Sequence, residues 1–392
     1  MQDKILVSVK KIYNIDNPEE MRRGLLESLE LLGGLGKFIK AGEKIVLKPN
    51  LAVGSMEGVT SPLIIDFLIE EIKKLGAIPI VADGSSKSVD YDTLSIVKVT
   101  GLGKILEKHG VEFVDLDNTP TVRKKVPDGK AFKYINVPEV ILEADKLINM
   151  PKIKTHHLTG ISCGIKNLQG IVAGYEKLMT HALGLHQPLA DLPKIFKPDL
   201  TIVDGTSCME GFGPFYGKKV PLGLIISSEN ILAAEAVVCR IMNVRYSSIK
   251  HIGLCFKDHN FKPSDIRVVG ENIKKIDYKF SIPSFKKNYL FLHRSATMFD
   301  RFIYKYVADI FHIPLKSIFP SMSRIFGVHL KVNQDFDQAR INPLICPVGA
   351  IKKKENGKYT IDLHECVDCL KCYKELPKGA IILKGLISSQ EK

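Results

Sequence analysis

Apolar residues recur along the first 115 positions in two alternating rhythms. Short β-branched runs at residues 5–9, 45–47, 78–81 and 111–114 have the length of buried strands. Between them lie longer stretches with apolar positions three and four apart. Ile64, Ile65, Leu68, Ile69 and Ile72 fall on one helical face, and the preceding Ser61-Pro62 supplies an N-cap and a proline at the first helical position. Strands alternating with helices predict a doubly wound, mainly parallel sheet, because parallel neighbours need a crossover long enough to be a helix.

The same alternation returns from about residue 140 to 272, with strands expected at 147–150, 200–203, 222–226 and 266–269 and a helix capped by Asn230 running through Met242. The expectation is an α/β body over 1–272, in two lobes of about 1–140 and 141–272 with a cleft between them. Residues 273–333 then turn basic and aromatic, with Phe291, Phe299, Phe302, Tyr304, Tyr306 and Phe311. They read as a helical connector that packs on its own protein, covers a groove, docks a partner or lies on a membrane surface. In the tail, 334–392, Cys346-Pro347-Val348-Gly349-Ala350-Ile351 recurs thirty residues later as Leu376-Pro377-Lys378-Gly379-Ala380-Ile381. A repeat that short implies one small two-fold α+β unit of ferredoxin-like type.

Composition narrows this picture in two ways. At 392 residues, 45% hydrophobic and 25% charged, the chain has room for two or three globular units and no disordered or fibrous character. A net charge of +13 favours anionic partners. No nucleic-acid motif accompanies it, and no block of like charge exceeds Lys352-Lys353-Lys354. The apolar stretch at 220–242 is interrupted by Glu229, Asn230, Glu235 and Arg240, so no transmembrane segment is expected. The N-terminal apolar run is too short for a signal peptide, and the expected location is cytoplasmic. Eight cysteines in that setting point to metal or redox chemistry before disulfides.

Cys366-x2-Cys369-x2-Cys372 is three-quarters of the bacterial ferredoxin run, in which three closely spaced thiolates hold three irons of a cube and a distant cysteine before a proline holds the fourth. Cys346-Pro347 supplies that fourth ligand. Shifting the set by the repeat places a second set of ligand positions at Phe336, Ala339, Asn342 and Leu376, none of which carries sulfur. One [4Fe-4S] cluster per chain is therefore expected, with a four-cysteine zinc site as the poorer fit to this spacing. Lys371, Lys374 and Lys378 lie beside the loop, where positive charge eases reduction or guides an acidic donor. Cys239 and Cys255 fall in apolar helical patterns and read as buried small hydrophobes.

Residues 152–186 carry four of the eleven histidines together with Lys152, Lys154 and Lys166, immediately after the strand ending at Met150. Positions just past strand ends line the crevice of an open α/β sheet. Amines and imidazoles converging there can hold an anion and move protons near neutral pH. No G-x-G-x-x-G follows a strand and no P-loop occurs, so dinucleotide and nucleotide triphosphate sites find no support. The C-x3-C-x2-C spacing of radical enzymes is missing too, which makes an electron carrier of the cluster.

Lys48-Pro49-Asn50, Thr60-Ser61-Pro62, Ala82-Asp83-Gly84-Ser85, Pro151-Lys152-x-Lys154-Thr155-His156, Gly164-Ile165-Lys166-Asn167-Leu168-x-Gly170 and Asp204-Gly205 with Met209-Glu210-Gly211 occur in that order. In this they resemble the bacterial and archaeal domain-of-unknown-function family 362, in which a ferredoxin tail is a common companion. The resemblance implies a fold similar to the nickel-pincer lactate racemase group. It also implies that Lys152, Lys154, His156, Lys166 and Asn167 line the cleft and face Asp83, Glu210 and Glu235. Glu235 stands where the family usually shows Asp.

These readings converge on an iron–sulfur oxidoreductase passing single electrons to an anionic small molecule. The substrate-binding set is Lys152, Lys154, Asn167, Asp83 and Glu210, and the catalytic set is His156, His181 and Lys166. A donor or acceptor protein is the expected partner, and a flavin or nickel cofactor in the cleft is left open. Racemase-like chemistry on a 2-hydroxy acid and a non-enzymatic carrier or assembly subunit are the alternatives.

Overall fold

The computed structural model describes residues 4–52, 55–85, 93–214, 216–276, 278–283, 329–363, 365–366 and 370–384. The strands of the body are β1 (Ile5–Lys11), β2 (Lys44–Lys48), β3 (Ile78–Asp83), β4 (Phe113–Asp115), β5 (Thr121–Lys125), β6 (Tyr134–Pro138), β7 (Lys146–Asn149), β8 (Lys152–His156), β9 (Gly160–Ser162), β10 (Leu200–Phe212), β11 (Tyr216–Val220), β12 (Leu224–Ser228) and β13 (Ile266–Gly270). All but β5 and β6 belong to one sheet, whose main path runs β13-β1-β12-β10-β7-β2-β3-β4. Pairing along it is parallel except at β1–β12 and β12–β10. The mixed α/β class with a large, mainly parallel sheet is as the alternating pattern predicts.

Strands from the two expected lobes lie in this single sheet. β7, from the second half, sits between β2 and β10, while β1, from the first, pairs with β12 and β13. A mostly buried strand such as β7 needs hydrogen-bonded neighbours on both edges, and the two halves each supply one. The two cores are accordingly the two faces of the sheet. Ile45, Leu47, Ile202 and Ile225 pack on one side with the helices Pro18–Glu30 and Pro62–Lys74. Val46, Val203 and Ile226 pack on the other with the helices Ile231–Ile241 and Lys250–Asp258. The period of two along each strand decides which core a residue joins.

The helix Pro62–Lys74 starts where expected and buries Ile64, Ile65, Phe67, Leu68, Ile69 and Ile72, each worth roughly 1.5–3 kcal/mol when removed from water. Ser61 occupies its N-cap position without making a side-chain cap bond; its backbone amide instead donates to Asp204 Oδ2 at 2.8 Å. Asn230 does cap its helix, accepting from Leu232 and Ala233 at 2.9 and 3.0 Å.

The tail forms its own small core from Leu330, Val332, Ile341, Ala350, Ile351, Leu370, Leu376 and Ala380. β14 (His329–Val332) pairs antiparallel with β17 (Ile381–Lys384), and β15 (Ile351–Lys353) with β16 (Tyr359–Ile361). It begins ahead of the boundary expected at 334, because the last strand takes its partner from 329–332. Most of the expected connector, residues 284–328, lies outside the described residues. Among the described residues no helix is long and apolar enough to cross a membrane.

Candidate functional site

Parallel register gathers the site at the C-terminal ends of neighbouring strands in the middle of the sheet. Lys48 at the end of β2 lies opposite Asn149 at the end of β7, and β3 ends beside them at Asp83. Lys48 and Asp83, both nearly fully buried, form an ion pair of 2.6 Å. Asp83 also accepts the amides of Leu51 at 2.7 Å and Gly84 at 2.8 Å. Gly170 closes over this pair: a Cβ there would come within 2.2 Å of Asp83 Oδ1 and 2.7 Å of Lys48 Nζ, a distance only glycine tolerates. A second buried pair, Lys177–Asp117 at 2.7 Å, packs under Gly84 in the same way. Asp83 thus neutralises a lysine inside the wall. Lys48 and Lys177 are absent from the expected set, although Lys48-Pro49-Asn50 was among the quoted motifs.

Asn167 ties the wall together. Its amide donates to Asn149 Oδ1 at 2.8 Å and to the carbonyls of Lys48 and Pro49, while its oxygen accepts from Asn50 at 2.8 Å. With these partners it braces the ends of β2 and β7, and its side chain, expected to bind a ligand, is engaged by the protein itself.

Lys152, Lys154 and His156 alternate along β8 and so project to one face. Their fates differ. β8 and β10 pair with Lys152 opposite Asp204 and Lys154 opposite Met209. Lys152 therefore meets Asp204 at 2.8 Å, and the same carboxylate accepts from the Ser61 amide and from the amide and hydroxyl of Thr206. The Lys152 charge is spent on a fully bonded internal pair. Lys154, equally buried, donates to two neutral acceptors, Asn50 Oδ1 at 2.9 Å and the Gly58 carbonyl at 2.7 Å. Burial, with Lys166 and Lys152 nearby, brings its pKa down to about 7. Lys166 is half-buried and donates to Gln169, another neutral partner. Burial followed by the charges of Lys177 and Lys48 holds it at about 7 as well.

His156 is buried and accepts the Leu158 amide at Nδ1, 3.1 Å, which leaves its proton on Nε2. Burial, then the charge of Lys166, holds its pKa well below the ordinary imidazole value. Its free N–H is at Nε2, and its surroundings favour the neutral imidazole. His181, half-buried at the end of the helix Gly174–Ala182, is close enough to add to the suppression of charge on His156. The same helix reaches Lys166 through Thr180 and Gln169.

The expected carboxylates point elsewhere. Glu210 accepts the Tyr278 hydroxyl and the Ser281 amide, both at 2.9 Å, and so anchors the chain after β13. Glu235 is fully buried and accepts the Ile165 amide at 2.9 Å at the start of the short helix Gly164–Asn167, which carries Lys166 and Asn167. Burial raises its pKa to about 7 against those amide contacts, and its other oxygen has no hydrogen-bond partner among the described residues.

In the tail, Cys346, Cys366 and Cys372 line one small pocket with Leu330, Pro347, Ala350 and Leu370. The Ala350 amide donates to Cys346 Sγ at 3.2 Å. Converging thiols, an apolar lining and an amide directed at sulfur suit a thiolate-bound group. Cys369 lies outside the described residues. Of the second set of positions, Phe336 and Leu376 pack in the tail core and Asn342 accepts the Leu344 amide, so these three have structural roles. Cys163, Cys208, Cys239 and Cys255 are buried, and burial pushes each thiol up, out of reactive range.

Comparison with known proteins adds the following. The model of the family described as Domain of unknown function (DUF362) matches residues 45–240. The thylakoid-associated protein sll1697 of Synechocystis sp. is 29% identical over 234 residues, which is 56% of this chain and 70% of that protein. Pyruvate synthase subunit PorD of Methanocaldococcus jannaschii is 47% identical over 38 residues, 10% of this chain and 44% of that one. Among solved structures, the lactate racemase apoprotein from Thermoanaerobacterium thermosaccharolyticum aligns at a TM-score of 0.43 with 16% identity over 62% of this chain. A Thermotoga maritima protein aligns at 0.38 with 16% identity over 57%. This chain covers 58% of each of those two structures, less than two thirds of their length.

Proposed function

The chain belongs to the DUF362 family, and on that footing we propose that it is an iron–sulfur oxidoreductase whose pocket takes a small organic anion between Lys154 and Lys166. One observation carries this reading: these two lysines are held near a pKa of 7 and hydrogen-bond to neutral groups, while Lys48, Lys152 and Lys177 each have a carboxylate. An amine withdrawn from water with no counter-ion among the described residues is destabilised when charged, and an arriving carboxylate would supply that charge. Each charge-assisted bond to the ligand is worth roughly 1.5–3 kcal/mol. Binding then draws protons onto the amines, and the Nε2–H of His156 offers a neutral third donor. Cys346, Cys366, Cys369 and Cys372 would hold a [4Fe-4S] cluster, which supplies one-electron transfer when bound.

Calorimetric titration with oxalate tests the pocket. Affinity should be level below pH 7 and should fall as pH rises above it, since protons must then be taken from solution. Lys154→Ala and Lys166→Ala should each weaken oxalate about tenfold or more, the equivalent of one charge-assisted bond, with iron content unchanged. Oxalate affinity that is indifferent to both substitutions would remove the pocket and leave an electron carrier.

A further inference from the structure

Two consecutive residues of one turn connect the cysteine-bearing tail to Lys154. Lys374, two positions past Cys372 in the helix Lys371–Glu375, contacts Glu57 of the body at 2.6 Å. The next residue, Gly58, offers the carbonyl that accepts from Lys154 at 2.7 Å. The turn is held as a unit: Ser55 donates its hydroxyl to Glu57 at 2.8 Å and accepts the Gly58 amide at 2.9 Å. Thr60 closes it on the pocket side, exchanging backbone and side-chain bonds with Asn50, the other acceptor of Lys154. Val348, two residues after Cys346, packs against the tail core and against the body core around the helix Pro62–Lys74.

We propose that Glu57 is a positioning residue through which docking of the tail sets the environment of Lys154, so that ligand binding in the pocket and seating of the cysteine centre are coupled. This rests on the reading of Lys154 as an anion-binding group. An ion pair with one partner half-exposed contributes little to stability, so its effect is directional: it fixes where the Gly58 carbonyl lies. When Lys374 holds Glu57, the carbonyl faces Lys154 and favours its protonated form. When the contact is lost, the turn loosens, the amine is more readily neutral, and an anion is held less firmly. Coupling of this kind is reciprocal, so a bound anion also favours the docked tail.

The test uses the full-length, cluster-loaded protein with the single variants Lys374→Glu and Glu57→Lys and the double variant that exchanges the two charges. Two quantities are read: oxalate affinity by calorimetry, and the pH midpoint of Lys154 by nuclear magnetic resonance of isotope-labelled lysine side chains, assigned with Lys154→Arg, which needs no ligand and no access of a reagent to the buried amine. Each single variant should weaken oxalate about fivefold and lower the Lys154 midpoint, and the double variant should return both to within about twofold of wild type, since an exchanged pair restores the contact. If wild type binds oxalate but neither quantity moves in the single variants, the coupling is wrong and the pocket stands. If wild type binds no oxalate yet the midpoint moves and is restored, the coupling stands and the anion reading fails. Single variants that shift both quantities without rescue by the exchange would mean general loosening, which overturns the proposal.

Discussion

Lys48 Nζ lies 2.6 Å from Asp83 Oδ1 with both side chains withdrawn from water, and Gly170 passes directly over them. The closeness of the pair to backbone explains why a glycine occupies position 170. Gly170→Ala should cost about 1–3 kcal/mol in denaturant unfolding, because a methyl group would have to displace a buried ion pair. Gly103→Ala is the comparison: that glycine is inside the helix Leu102–His109 with its nearest neighbour 3.6 Å from the new Cβ. It should gain about 0.5–1 kcal/mol from helix propensity. Equal effects at the two sites would contradict the packing described for Gly170.

Glu235 is the second source of measurable behaviour. Its folded pKa of about 7 lies above the ordinary 4.5, so the native state binds more protons than the unfolded state between those values. Its contribution is therefore complete below pH 4.5 and is lost as pH rises through 7. The full difference is on the order of 3 kcal/mol. Glu235→Gln keeps an acceptor for the Ile165 amide and cannot ionise. The variant and wild type should be similarly stable at pH 4.5, and the variant should be more stable at pH 8 in urea unfolding. A difference between the two proteins that stays constant with pH would count against a buried, titrating carboxyl.

The cysteine centre gives a stoichiometric expectation. Anaerobically prepared protein should carry about four iron and four sulfide per chain, since the second set of positions has no sulfur. Cys346→Ser or Cys366→Ser should abolish or cripple the chromophore, whereas Cys239→Ser, in a helix of the body, should leave it intact. Eight irons per chain, or zinc in place of iron, would sink the assignment.

Much of the architecture was legible in the sequence because it depends on local rhythm. The strand positions and the helix Pro62–Lys74 follow from a period of two or 3.6 read against turn residues, and Asn230 announces its own helix. The spacing of Cys366, Cys369 and Cys372 is local as well, and two of these, Cys366 and Cys372, line one tail pocket with Cys346. Lys48 and Lys177 escaped, although Lys48 begins a quoted motif and Lys177 lies in the histidine-rich stretch, because their partners Asp83 and Asp117 are brought in by other segments.

What the sequence by itself determined was the eight strands of the sheet's main path and the presence of lysines at 152 and 154 just past a strand end; that these two share one face of a further strand, β8, came from the structure. Which of the two has a carboxylate partner was decided by tertiary structure. The two have the same side chain, the same strand and almost the same burial, and differ only in what β10 sets across from them. Parallel register places Asp204 opposite Lys152 and Met209 opposite Lys154, with a break in regularity between. One lysine is neutralised inside the wall, and the other is left near neutrality with an amide and a carbonyl. A charge inside a protein takes its behaviour from the nearest compensating group, and the position of that group across a sheet is a property of the fold.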